Sequence, residues 1–317
     1  MGRSARTPPL LLSVAWYRFR TTFRHRWVGY VALIALIGLV GGVAMASMAA
    51  ARRTASSPST FFASTDPSDL TGPTGILNPA VGGGSAYNTV AISAIKHLPD
   101  VREAESQSGI DFLPLNKNGA PLNAPNFYPP SAGNGYGSVD GLNFHQDKVI
   151  VTKGRMADPT RADELMLTAE GASALYVHVG SVLPVGIYTN AQTQLPGFGT
   201  AAVAPYRTLN EKVVGLFTYG PTIVHDDVDA DSGPNNLFTP ALTRQLLDCC
   251  VNYSVTGIRI VDPSRNSQKV TDEIAHLLPG FPQLTSTRPI LEKAQRVVTP
   301  EALALGISAQ SRASQRS

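Results

Sequence analysis

The run His225-Asp226-Asp227-Val228-Asp229-Ala230-Asp231 crowds titratable side chains into seven positions. Asp227, Asp229 and Asp231 repeat the spacing of the first three ligands of a calcium-binding loop, whose oxygens wrap a hard cation. Such a loop needs glycine at its sixth position to turn and glutamate at its twelfth to close the shell. Those positions are Ser232 and Phe238. The run therefore reads as a solvated acidic loop, and no metal site is expected. Cys249 and Cys250 are the two cysteines. Adjacent residues rarely meet disulfide geometry, and no Cys/His metal spacing accompanies them. They are expected to be packing residues, with a bond to another chain as the minor alternative.

Other catalytic patterns are missing. No GxxxxGK[ST] phosphate loop occurs, so ATP hydrolysis by this chain is not expected. Neither GxSxG nor HExxH is present. Gly133, Gly135, Gly137 and Gly141 lie in a stretch without a preceding strand, so a dinucleotide fingerprint fails. The six histidines are scattered. These absences exclude the common nucleophile–base and metal constellations. The chain is not expected to be an enzyme, and no cofactor, metal or catalytic residue is assigned.

The charge layout points elsewhere. Of 26 basic residues in 317, eight arginines fall within residues 1–53, which hold no acidic residue, leaving 18 basic against 23 acidic beyond. Nucleic-acid binding would need basic residues across a folded surface. Here they flank an apolar run, Trp27 to Ala51, that carries no formal charge. As a helix it would span about 37 Å, against roughly 30 Å of hydrocarbon. In lipid such a segment must be helical, because its backbone groups need internal partners. Six arginines precede the run and Arg52 and Arg53 follow it, which puts the N-terminus in the cytoplasm and the remainder outside. A cleaved secretory signal is the competing reading, but its apolar region is shorter, about 7–15 residues.

Trp16, Phe19 and Phe23 share one helical face, while Arg18, Arg20 and Arg24 lie mostly elsewhere around it. That pattern predicts an interfacial helix in the cytoplasmic headgroup plane, started by Pro8-Pro9, with arginines on anionic lipid. Gly38 and Gly42 form a GxxxG pair at which a partner helix can approach closely. The expected division is a cytoplasmic segment 1–26, a transmembrane helix 27–51, an outer domain 52–298, and a segment 299–317.

Within the outer part, residues 54–88 read as an extended approach and Leu115 to Gly141 as a long loop. Helices are expected over Thr89–Leu98, Ala169–Tyr176, Pro240–Leu247 with Thr239 as N-cap, and Ser264–Leu278. Strands are expected over Val101–Glu105, Lys148–Lys153, Glu164–Thr168, Ser181–Tyr188, Lys212–Thr218 and Ser254–Val261. Elements of both kinds mix without a strict βαβ period, so the outer domain is expected to be α+β. Val297 to Ile307 turns apolar like the start of another long helix, then gives way to a Ser/Gln/Arg tail that cannot span a bilayer.

The order of parts resembles the FtsX-like/MacB-like ABC transporter permease family with a MacB-like periplasmic core domain. The residues that carry the resemblance are Arg52-Arg53-Thr54-Ala55-Ser56-Ser57, the block Gly154-Arg155 to Ala162-Asp163-Glu164, Val179-Gly180-Ser181-Val182-Leu183, and Lys212-Val213-Val214-Gly215. The resemblance covers roughly residues 10–307. It implies a plasma-membrane permease subunit that couples a separate cytoplasmic ABC ATPase to an extracytoplasmic domain. It also implies further permease spans or a second permease chain as partners, and no catalytic residues. The family continues past the region like Val297 to Ile307 into further spans, so a truncated or split permease fits the sequence. The alternative function is a membrane-anchored extracytoplasmic binding or scaffold protein without transport.

Overall fold

The computed structural model describes residues 10–76, 86–122, 135–219, 235–279 and 284–287. The chain divides into two compact units; the larger runs from Pro58 to Ala294. The smaller unit contains most of α1, a helix from Leu10 to Ser64. Its 55 residues correspond to about 80 Å of helix, well over twice the hydrocarbon thickness of a bilayer. Two expectations are corrected here. The segment holding Trp16, Phe19 and Phe23 is not a separate element, because α1 runs through it into the apolar stretch without interruption. Residues 54–64 are helical rather than extended. Once a helix is nucleated, each further residue adds one hydrogen bond, which carries it past the Ser/Pro-containing segment.

In the larger unit, eleven strands among the described residues form one mixed sheet. Its first half is antiparallel. There β1 (Leu70–Ile76) lies between β11 (Thr285–Ser286) and β10 (Val251–Ile260), and β10 pairs with β2 (Val101–Ile110). Two helices, α2 (Thr89–Lys96) and α5 (Pro263–Leu277), bury Ile95, Val270 and Ile274 against Leu70, Ala104, Ile258 and Ile260. Further along the same faces of β2 and β10 the side chains become small hydroxyls. Ser106 and Thr256 meet at 2.9 Å, Ser108 and Ser254 at 2.8 Å, and Thr74 joins Thr256 at 2.9 Å. Each of these five hydroxyls is paired, which removes the penalty of desolvating it alone.

The second half mixes parallel and antiparallel pairs. The order from β2 continues through β4 (Gly135–Ser138), β9 (Asn236–Phe238), β6 (Glu164–Thr168), β8 (Arg207–Thr218), β7 (Val182–Ile187) and β3 (Phe112–Pro114), while β5 (Ile150–Gly154) pairs with β8. Every residue of β6 is buried. Leu165 and Leu167 enter one core with Val185, Val213, Phe238 and Leu242. Met166 enters another with Val214, Phe217 and Leu237. A strand covered on both faces carries an apolar run rather than a clean alternation. The helices here are α3 (Ala169–Ala174) and α4 (Pro240–Leu246). The α+β class is what the structure shows.

Part of the expected loop Leu115 to Gly141 is also corrected, because β4 is an inner strand between β2 and β9. Its glycines disguise it. A Cβ on Gly135 would collide with the Phe112 ring, and one on Gly137 with Thr243 Oγ1. The fourth correction concerns Cys249 and Cys250, which are joined by a disulfide across adjacent positions with Cα atoms 3.7 Å apart. The chain turns there from α4 into β10. Both amides, of Cys249 and Cys250, donate to the carbonyl of Leu246 (3.3 and 3.1 Å), and that bend brings the two side chains together. The acidic run 225–231 and the segment 299–317 lie outside the described residues.

Thr239 caps α4 as the sequence predicts. Its hydroxyl accepts from the Leu242 amide at 3.3 Å and donates to the Arg161 carbonyl at 2.6 Å. Thr239→Ala should lower stability by about 1–2 kcal/mol, measured by denaturant unfolding of the full chain in detergent.

Candidate functional site: the junction between helix and domain

Trp27 to Arg53 is the one candidate span among the described residues, with a mean hydropathy of 2.3 and none of its most apolar window buried. Leu33, Ile34, Ile37 and Leu39 are all more than half exposed. Apolar side chains on this scale do not stay in water, and lipid is the solvent that suits them. Trp16 is 65 % exposed on the same helix. Arg18, Phe19, Arg20, Phe23 and Arg24 belong to α1, and their side chains lie outside those described. A Cβ on Gly38 or Gly42 would meet nothing within 4 Å, so neither glycine has a neighbour inside the described chain.

Five residues, Thr65-Asp66-Pro67-Ser68-Asp69, separate α1 from β1. Sequence reasoning placed them in a loose approach, although Asp-Pro is a turn signal. They form a dense polar knot. Asp66 turns the chain with φ at +50°. The loop 139–149 grips the turn from one side. Its Lys148 amide donates to the Thr65 carbonyl at 2.8 Å, and its Asp147 amide to the Asp66 carbonyl at 3.1 Å. Lys148 Nζ also pairs with the Asp66 carboxylate. Ser68 donates its amide to Asp147 Oδ1 at 2.7 Å and its hydroxyl to Oδ2, and accepts from Gln146 Nε2 at 2.7 Å.

The sheet grips the turn from the other side. The Asp69 amide donates to the Ile258 carbonyl, and Asp69 Oδ2 accepts from the Ile260 amide, both at 2.8 Å. Arg259 bridges Glu103 at 3.1 Å and Asp66 at 3.9 Å. Thr287, just past β11, joins the same knot, for its amide donates to the Asp69 carbonyl at 3.2 Å and its hydroxyl to that of Ser68. The strand that follows the knot, β1, and the strand that Thr287 follows, β11, are neighbours in the sheet. Gly257 makes room, since a Cβ there would lie 2.8 Å from Leu142 Cδ1 and 3.0 Å from Asp147 Oδ2.

The charges differ in state. The Lys148 hydrogen bond is the main reason that the Asp66 carboxyl sits below its usual range. Burial pushes Asp147 up, against the pull of its two bonds from Ser68. Burial, with repulsion from Asp140 and Glu103, pushes Glu105 up to about 7. Elsewhere, the Gly154-Arg155…Asp163-Glu164 block proves to be a staple. Glu164, almost fully buried, takes both nitrogens of the Arg155 fork at 2.8 and 2.5 Å, the Asp158 amide at 2.9 Å and Arg161 Nε at 3.1 Å. The Arg155 bonds hold its carboxyl below the usual range. Such a motif fixes the path from β5 into β6, and its chemistry is structural. Among the described residues no three His, Cys, Asp or Glu side chains gather as metal ligands do.

No protein-family model matches the chain, and no curated protein matches it either. Solved structures do. The periplasmic region of MacB from Actinobacillus actinomycetemcomitans matches at 10% identity and a TM-score of 0.39, over 71% of this chain and 91% of that one. The extracellular domain of the noncanonic ABC-type transporter YknZ from Gram-positive bacteria matches at 11% identity and 0.37, over 68% and 100%. A domain of a putative permease from Porphyromonas gingivalis matches at 10% and 0.33, over 68% and 88%.

Proposed function

We propose that this chain is a permease component of an ABC-type transport system, anchored in the plasma membrane with its N-terminus in the cytoplasm and its α+β domain outside. Its part is mechanical: it passes ATP-driven motion from a separate cytoplasmic ATPase to the outer domain. The observation that carries this reading is the continuity of α1, which leaves no loop between the apolar span and the knot at Thr65–Asp69. A domain that only needs tethering is served by a flexible linker. An unbroken helix ending in a hydrogen-bonded knot suits a part that must transmit displacement. The arginine asymmetry across the span supports the orientation, and the motif order that resembles MacB-like permeases supports the partner class. The ATPase, and the helices that would pack at Gly38 and Gly42, would come from other polypeptides or other spans.

Affinity purification of the chain from the membranes of its own cells, followed by mass spectrometry, tests this. The expected companion is a protein with a GxxxxGK[ST] phosphate loop, in near-stoichiometric amount. Recovery of the membrane-bound chain with no such ATPase, under detergents that preserve membrane complexes, would favour an anchored binding or scaffold protein.

A further inference from the structure

The loop 139–149 holds the helix–domain junction, and it rests on a buried carboxylate. Glu105 lies on β2 opposite Gly257 of β10, and the whole residue is only 8 % exposed. Gly141 sits so close above it, at a φ of +147°, that a Cβ there would strike the Glu105 oxygens. Glu105 Oε2 accepts the Gln146 amide at 3.2 Å, and His145 Nδ1 is 3.6 Å from Oε1. The loop is closed on itself. The amides of Phe144 and His145 both donate to the Gly141 carbonyl at 2.7 Å, and that of Asn143 to the Gln146 carbonyl at 2.7 Å. Asn143 also reaches back to Gln107 on β2. A movement at Glu105 is thus carried along the loop to Asp147 and Lys148, which hold Thr65, Asp66 and Ser68.

The charges around Glu105 come from every element packed on it. Glu103 precedes it on β2, Arg259 lies on β10, and Asp140, His145, Asp147 and Lys148 lie on the loop. Asp66 and Asp69 belong to the junction, and Lys96 of α2 pairs with Asp140. Lys96, Lys148 and Arg259 are each drawn to a carboxylate other than Glu105. An ionised Glu105 therefore faces Asp140 and Glu103 with only the Gln146 amide and His145 in its favour.

We propose that loop 139–149 is a proton-controlled clasp on the helix–domain junction, closed over an uncharged Glu105 and loosened when Glu105 ionises. Acid tightens the grip on the turn at 65–68 and alkali relaxes it. The clasp bears on function only through the transmission reading above, as a regulation of that same site.

Linkage sets the sign and the window. Glu105 titrates at about 7 when covered and at about 4.3 when exposed to water. Opening should become up to about tenfold more favourable per pH unit across that interval and then level off. Asp147, also raised by burial, adds a share of the same sign.

Hydrogen–deuterium exchange of the full chain in nanodiscs, expressed as protection factors so that intrinsic pH effects cancel, tests this. Between pH 5 and 7.5, protection at 141–149 should fall by about a hundredfold, and little further by pH 8.5. Glu105→Gln should cut that change to about tenfold or less. Asp140→Asn should leave a smaller change of the same sign and bring the levelling-off to lower pH, which general loosening would not do. Protection independent of pH in the native chain, or an undiminished change in Glu105→Gln, would overturn the clasp. Either result would leave the ATPase co-purification standing, so the two readings fail separately.

Discussion

Replacing Glu211 by glutamine should raise the melting temperature of the outer domain at pH 8.5 by roughly 10 °C, and change it little at pH 5. Glu211 lies on β8 between exposed Asn210 and Lys212, opposite Leu183 of β7. It shares its strand face with Leu209 and Val213, which belong to the core. It is 1 % exposed, and neither carboxylate oxygen has a hydrogen-bond partner among the described residues. Burial, with repulsion from Asp163 and against attraction by Arg207, pushes it up to about 8 from the ordinary 4.5. The unfolded chain thus ionises it first. Stability falls as pH rises from 4.5 to 8, by about 1.4 kcal/mol per unit, for a total on the order of 4 kcal/mol. Glutamine has nearly the same shape and no charge to release, so the loss should vanish. Scanning calorimetry of both chains at the two pH values checks this. Equal melting temperatures at pH 8.5 would mean that Glu211 finds water or a counter-charge in solution.

On the transmission reading proposed above, breaking α1 should uncouple the outer domain without damaging either unit. Six Gly/Ser residues inserted after Ser57 lie beyond the span and ahead of the knot. The melting temperature of the outer domain should stay within about 2 °C, as expected for a surface change, and the chain should remain in the membrane. With the ATPase of the proposed system bound, stimulation of its ATP turnover by the chain should fall roughly tenfold or more, because a flexible linker absorbs displacement. Seven helix-forming residues at the same place are the control. They add about two turns and restore the original facing, so they should keep most of the coupling. Full coupling with the flexible insert would refute mechanical transmission through α1.

The two insertion variants bear on what was legible in the sequence. The apolar run and its arginine flanks are compositional, so the span was plain. Where α1 ends was not, because residues 54–64 carry loop-like Ser, Thr and Pro yet continue the helix. Strands with a strong periodic signal, such as β6, β7 and β10, were readable, as was the Thr239 cap. Short strands made of small residues were not: β4 is Gly-Tyr-Gly-Ser, whose glycines mean close packing here and a loop elsewhere. The junction was missed for a related reason. Its residues are Asp, Pro, Ser and Thr, and their significance lies in partners about 80 to 220 positions away, which no local pattern records. The disulfide between Cys249 and Cys250 depends likewise on a bend set by α4.

The pairing of β1 with β11 has a consequence for how the domain bears load. The two strands are antiparallel, and the incoming chain at Asp69 and the outgoing chain at Thr287 lie at the same end of the pair. Tension that draws those two ends apart would act on the strands as on a zipper, one hydrogen bond at a time, resisted by Thr287 and the two residues of β11. Tension applied to both ends together leaves the pair unloaded and falls instead on the many bonds between β1 and β10. The domain is thus stiff toward a common pull and compliant toward a separating one.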